Sequence, residues 1–288
     1  MQFATLIDRP VPTIKVVDVG ANPVDGDPPY APLLKAGQAH VVGFEPNPTA
    51  LAALEAAKGP RELYLPHAIG DGQRHTLYVC AMQGMTSLLE PNADVLALFH
   101  GFPDWGQVVR KVEVETKRLD DVPETRGLDY LKIDIQGAEL MVFENAIERL
   151  SSALVVHTEV EFLPLYKNRP LFTDIDLFLR RLGFQFHRFD PLVSRAMQPI
   201  LVNNNPYAPF KQAVWADAVY VRSFLDFARI ETDDLLKLAT ILHDCYRSYD
   251  LAHVYLAEHD RRTGGGLGQR YLTRLLAGLA PAATATAA

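Results

Sequence analysis

An α/β fold around a mostly parallel sheet is predicted, on three observations. Short β-branched runs end in glycine turns, helix-period segments separate them, and acidic residues stand where the runs stop. At 288 residues the chain has room for one large α/β domain with an appendage. Its 48% hydrophobic and 22% charged residues are the balance of a globular protein with one substantial core.

The first run, Ile14-Lys15-Val16-Val17-Asp18-Val19, enters the turn Gly20-Ala21-Asn22-Pro23 and reads as a buried strand. Residues 30–36 suit a short helix, and 39–44 a second apolar strand closed by Glu45-Pro46-Asn47-Pro48. Strand, helix, strand is the βαβ rhythm. Residues 49–58, rich in Ala and Leu and stopped by Gly59-Pro60, read as a helix, and 63–69 as a third strand before Gly70-Asp71-Gly72.

Between 74 and 118 the rhythm changes. Residues 76–80 and 108–117 are expected as strands of an insertion, the second with its alternating Val112-Glu113-Val114-Glu115. The parallel rhythm resumes at 130–135, followed by one helix over 138–150, a strand over 153–160, an amphipathic helix over 174–182, a strand over 183–189 and a last strand over 212–221. Beyond Arg222 the pattern is helical. Thr232 is expected to cap 233–248, residues 263–268 form a Gly-rich hinge, 269–279 a further helix, and 281–288 a disordered tail.

A formal net charge of −7 speaks against a nucleic-acid partner, since neutralising phosphates takes a clustered excess of Lys and Arg. Cys80 and Cys245 follow no zinc-ligand spacing and make no disulfide framework. Residues 1–12 lack the pattern of an export signal, and no run of apolar residues is long enough for a membrane span. A cytoplasmic protein without a membrane partner is expected.

In an open parallel sheet, ligands sit beyond the carboxyl ends of the strands, where strand order reverses. Gly20 follows the first strand, and Asp18 beside it suits an ammonium group. Glu45 closes the second, where a carboxylate accepts hydrogen bonds from both ribose hydroxyls. Ala68-Ile69-Gly70-Asp71 closes the third, offering backbone groups and a carboxylate to an adenine edge. A dinucleotide would need G-x-G-x-x-G to seat its pyrophosphate. Only Gly20 stands in register, so a cofactor without phosphates fits better.

The segments Val17-Asp18-Val19-Gly20-Ala21-Asn22, Gly43-Phe44-Glu45-Pro46-Asn47-Pro48, Ala68-Ile69-Gly70-Asp71, Thr86-Ser87-Leu88 and Leu131-Lys132-Ile133-Asp134-Ile135-Gln136-Gly137-Ala138-Glu139 stand in that order along the chain. In this they resemble the successive signatures of the FkbM-type methyltransferases, over roughly residues 14–222. The resemblance implies a Rossmann-like class I methyltransferase sheet, mostly parallel with an antiparallel last strand. It implies S-adenosylmethionine as cofactor, bound by Asp18, Gly20, Asn22, Glu45, Asn47, Ile69 and Asp71. Methylation of a hydroxyl of a sugar, glycan or secondary metabolite follows. The chain departs from the family at Pro23-Val24-Asp25-Gly26-Asp27-Pro28-Pro29, where members carry a compact Gly-rich stretch, and its helical end resembles an extension of only some members.

Methyl transfer from a sulfonium to oxygen requires a group to take the hydroxyl proton. Asp134 is the first candidate, and alternation puts His157, Glu159 and Glu161 on one face of the fifth strand. Either His157 or Asp134 is the base, or Asp134 and Glu159 bind Mg²⁺ that acidifies the hydroxyl. The metal-free route is favoured, two carboxylates being few for an octahedral site. The bland alternative pairs Lys132 with Glu139 or Glu159, makes Asp134 a helix cap and makes His157 a satisfied core histidine. Ser87 reads as pocket lining or turn chemistry, and Trp105, Phe99 and Phe102 as a sugar-stacking surface or a satellite core.

The expected organisation is a cofactor-binding domain over 1–222, with its insertion at 74–118, and a helical appendage over 223–280. The appendage has apolar spacing to dock on the domain or to make a homo-oligomer. Two rival functions stand beside methyl transfer: a non-catalytic binding module on the same fold, and an NAD-dependent dehydrogenase, which the missing glycines disfavour.

Overall fold

The computed structural model describes residues 2–22 and 26–279, and the chain divides into two compact units. One comprises Lys15–Gly26 and His40–Ser223; the other is built from the described residues of Met1–Ile14, Asp27–Ala39 and Phe224–Ala288.

Ten strands are present among the described residues: β1 Ile14–Val19, β2 Ala39–Phe44, β3 Glu62–Leu65, β4 Ala68–Ile69, β5 Arg74–Cys80, β6 Val108–Lys117, β7 Tyr130–Ile133, β8 Val155–Glu161, β9 Phe184–Arg195 and β10 Gln212–Arg222. Seven form the main sheet in the order β3-β2-β1-β7-β8-β10-β9. The β2–β3, β1–β7 and β7–β8 pairs are parallel, and β10 runs antiparallel between β8 and β9. Strand order reverses between β1 and β7, which puts the ligand crevice beyond their carboxyl ends.

One face of this sheet is apolar because alternate residues share a face. Val17, Val19, Leu131, Ile133, Val156, Ala216, Ala218 and Tyr220 pack there with Val142, Phe143, Leu150, Ile175 and Leu179. The latter five come from the helices Glu139–Glu144, Ile147–Ser152 and Phe172–Arg181. Each is fully buried and contributes about 1.5–3 kcal/mol of apolar transfer free energy.

The expected third strand over 63–69 is two strands, because Pro66 lacks a ladder N–H. Leu65 ends β3 in the main sheet, and β4 joins the smaller sheet β4-β6-β5, where β5 and β6 form the expected antiparallel insertion. The single helix expected over 138–150 breaks at Asn145-Ala146. Asn145 turns its amide back to Met141 O at 2.9 Å, the local competition that makes Asn a weak helix former. Phe99 and Phe102 are buried in a satellite core with Leu96, Tyr166 and Val214, so these two belong to packing.

In the helical unit, Thr232–Tyr246, Tyr249–Thr263 and Leu267–Leu279 are joined by a short helix Phe3–Ile7 that the sequence pattern did not announce. Phe3 lies 5.8 Å from the His243 ring and 5.6 Å from Tyr271, and its N–H donates to Asp244 Oδ1 at 3.0 Å. Thr232, the expected cap, is the first helical residue; Glu231 precedes it without a side-chain cap bond. The expected division into 1–222 and 223–280 is therefore redrawn. Apolar residues of Phe3–Ile7 and Ala31–Lys35 are buried with helices distant in sequence, a partition set by packing. Residues 281–288, expected as a tail, and the departure at Pro23, Val24 and Asp25 lie outside the described residues. Among the described residues no helix is long and apolar enough to cross a membrane.

Candidate active site

The end of β1 is stitched to its neighbours by backbone. Gly20 N–H and Ala21 N–H both donate to Phe44 O, at 3.1 and 3.0 Å, which sets the first turn beside Glu45. Gly20 has φ +81, and a Cβ there would lie 2.1 Å from Asp134 O. The sequence reading took this glycine as room for a ligand; the close approach is made by the chain's own β7 end, with Asp134 N–H donating to Val19 O at 3.0 Å.

Asp18 is buried on β1 directly opposite Lys132 on β7, with Oδ1 and Nζ 3.5 Å apart. Lys132 Nζ also donates to Gly20 O at 3.1 Å. Burial opposes the ammonium's charge, but Asp18, Asp134 and Asp217 outweigh it and hold its pKa above the ordinary lysine value. The pairing of Lys132 with Glu139 or Glu159 is thus replaced by Asp18.

Glu45, 5% exposed, accepts Asn47 N–H on Oε1 at 2.7 Å. Burial, opposed by that hydrogen bond, lifts its pKa above the ordinary glutamate range. A carboxylate withdrawn from water and given one backbone donor is completed by two vicinal hydroxyls, so it fits a ribose. Asn47 caps the helix Pro48–Ala57, its Oδ1 accepting from Thr49 and Ala50 N–H, and Asn22 is half-buried after the Gly20 turn. Ile69 puts its side chain in the core. Asp71 Oδ1 accepts from Gln73 N–H at 2.9 Å and pairs with His75 Nε2 at 2.7 Å. Burial works against the Asp71 charge, but these bonds hold its pKa below the usual carboxylate range.

Beyond β7, Asp134, Glu139 and Glu159 gather, one oxygen of each lying within 4.8 Å of the others. Gln136 lies between two of them. Its Nε2 donates to Asp134 Oδ1 at 2.7 Å and Glu159 Oε2 at 3.0 Å, while its Oε1 accepts from the Tyr166 hydroxyl at 3.1 Å. Glu139 Oε1 accepts from Ile135 and Gly137 N–H, so Glu139, and not Asp134, closes the turn into the helix Glu139–Glu144. Burial first, then the negative charge of Asp134, pushes Glu159 well above the ordinary range; burial also raises Glu139, against the pull of Arg169. The Arg169 guanidinium is itself buried, pairing with Glu161 and lying 3.7 Å from Glu139.

His157 is on the same row, level with Lys132 on β7, and its Nε2 lies 3.2 Å from Asp217 Oδ2. Asp217 stands opposite Glu159 across the antiparallel β8–β10 pair. The structure therefore brings Asp134 and Glu159 together through Gln136, and ties His157 to Asp217. Gln136, Arg169, Tyr166 and Asp217 were missed by sequence reasoning. Arg169 follows Asn168, whose φ of 56° marks a turn, and Asp217 alternates with apolar neighbours in its strand, the one signal available for it.

The sheet reverses at β1/β7, with a glycine turn, the buried Glu45 carboxylate and an acid cluster at the reversal, the place where a Rossmann-like α/β sheet binds its ligand. The profile of the Methyltransferase FkbM domain matches residues 18–186, and the chain belongs to the FkbM methyltransferase family. It is similar to 2-O-methyltransferase NoeI of Sinorhizobium fredii (strain NBRC 101917 / NGR234), 29% identical over 185 residues, 61% of this chain and 74% of that protein. Among solved structures it overlaps precorrin-6y C5,15-methyltransferase from Geobacter metallireducens GS-15 at 12% identity and TM-score 0.38, covering 77% of this chain and 86% of that one. A SAM-dependent methyltransferase from Aquifex aeolicus overlaps at 9% identity and TM-score 0.30, covering 75% and 87%.

Proposed function

We propose that this methyltransferase acts on a hydroxyl of a sugar, glycan or secondary metabolite, with Asp134 as the base. The observation that carries this reading is the acid cluster of Asp134, just beyond β7, and Glu159, on β8, beside the Gly20 turn. The name of the relative, 2-O-methyltransferase NoeI, supports an oxygen as the acceptor atom.

S-adenosylmethionine, when bound, supplies an electrophilic methyl group on a sulfonium. Asp18, Gly20, Asn22, Glu45, Asn47, Ile69 and Asp71 form the set proposed to hold it, with Glu45 toward the ribose. Asp134 would take the proton of the acceptor hydroxyl and pass it to solvent afterwards. Burial and the Asp134 charge push Glu159 toward its neutral form, which lessens the repulsion between the two acids. His157 is the alternative base, its ring steadied by Asp217.

A Mg²⁺ ion on Asp134 and Glu159 is the rival route. The Gln136 N–H groups already bridge those carboxylates, which supports the metal-free one. The free thiols Cys80 and Cys245 suit the reducing cytoplasm proposed as its compartment.

Calorimetry with S-adenosylhomocysteine and with NAD tests the cofactor, and binding of NAD alone would sink the reading. Asp134→Asn is expected to keep S-adenosylhomocysteine affinity while turnover falls by about 10²–10⁴-fold. Unchanged turnover removes Asp134 from the role of base.

A further inference from the structure

Gln136 follows β7 with φ 58°, a left-handed conformation uncommon for a residue other than glycine. Holding it there takes contacts from elsewhere in the chain. Ser87, 1% exposed, donates its hydroxyl to Gln136 O at 2.7 Å from the insertion, and the buried Tyr166 donates to Oε1 from beyond β8.

Both amide N–H donors are used on the two acids, and the carbonyl accepts from a hydroxyl. Its orientation follows from the partners. Turned over, the amide would set its oxygen against the Asp134 carboxylate. Burial first, and then Glu159, pushes the Tyr166 phenol well above its ordinary range, so it remains a donor throughout the neutral region.

We infer that Gln136 is a positioning residue for methyl transfer, tying Asp134 to Glu159 by one oxygen each and leaving the second Asp134 oxygen to the acceptor hydroxyl. The inference rests on Asp134 as the base proposed above. Gln136 itself touches no reacting atom in this scheme. Its amide holds the two acids in register as a bridging cation would, without the cation's charge. Ser87 and Tyr166 make the insertion and the segment after β8 part of that support.

The test is Gln136→Met, close in length but without donors, beside Tyr166→Phe, which removes the hydroxyl bonded to Gln136 Oε1 and to Met85 O. The readouts are transfer from [methyl-³H]S-adenosylmethionine to methyl glycosides with a free 2-hydroxyl, S-adenosylhomocysteine affinity, and a crystal structure of each variant. Gln136→Met is expected to lower kcat about 10–100-fold with KM and cofactor affinity within about twofold, and Tyr166→Phe to lower kcat about 3–10-fold. The crystal structure is expected to show the Asp134 side chain turned away from Glu159. Placed in an Asp134→Asn background, Gln136→Met is expected to cost less than about twofold more, since both changes act through one group.

An unmoved Asp134, full turnover in both variants, or a full additional loss in the Asp134→Asn background overturns the inference. Those results leave the base assignment standing when Asp134→Asn alone is inactive. Full turnover by Asp134→Asn, or transfer to no glycoside while S-adenosylhomocysteine binds, counts instead against the proposed function.

Discussion

Asp18 and Lys132 face each other across the parallel β1–β7 pair, Oδ1 to Nζ 3.5 Å, at the point where strand order reverses. Both are largely buried, and the ammonium reaches on to Gly20 O at 3.1 Å. The lysine therefore couples the β1 carboxylate to the backbone of the Gly20 turn.

Lys132→Met takes the ammonium away from the buried Asp18 carboxylate, and a loss of about 3–5 kcal/mol is expected in urea unfolding. The folded pKa of Lys132 lies above the unfolded value, so its contribution is complete below that value and disappears only as pH rises through the folded one. The deficit of the variant should be the same at pH 6 and pH 9. A deficit that shrinks between them would show that the pair is not what stabilises the turn.

Glu45→Gln separates stability from binding. Burial raises the folded pKa of Glu45 above its unfolded value, so the native state binds the proton more readily and its stability falls as pH rises between the two. The neutral isostere lacks that penalty. Its Tm without ligand is expected to exceed the parent's at pH 8, with the difference fading on acidification. Affinity for S-adenosylhomocysteine should drop about 10–100-fold, as expected for losing hydrogen bonds to a charged acceptor. Equal affinity in calorimetry would take Glu45 out of the ribose role.

Gly20→Ala meets two obstacles, a positive φ and Asp134 O only 2.1 Å from the new Cβ. Unfolding is expected to ease by more than about 1 kcal/mol. Because the collision is with Asp134, turnover should suffer beyond the loss of folded protein. Denaturant unfolding combined with turnover per folded molecule checks this, and a variant as stable as the parent contradicts the geometry.

Metal removal tests the bridge at Gln136. Protein dialysed against EDTA is expected to keep its turnover, and titration with Mg²⁺ to release no binding heat, since an amide already satisfies one oxygen of Asp134 and one of Glu159. Activity lost on chelation and restored by Mg²⁺ would favour the rival route.

The sequence by itself determined the strands of the main sheet, their parallel rhythm and the positions of Asp18, Gly20, Glu45 and Asp134. Hydrophobic period, glycine turns and strand ends are local properties, written in consecutive residues. It also carried the FkbM signatures, which a match over residues 18–186 bears out. Only the tertiary structure decided who partners whom. Lys132 turns to Asp18, Asp217 arrives opposite Glu159 through an antiparallel register, and Phe3 packs beside Tyr271. It also decided that Gln136, a polar residue in a loop, bridges two acids from a left-handed backbone. These are pairings between segments far apart in the chain. They depend on strand register and on which buried charge lies nearest, quantities that exist only once the sheet has closed.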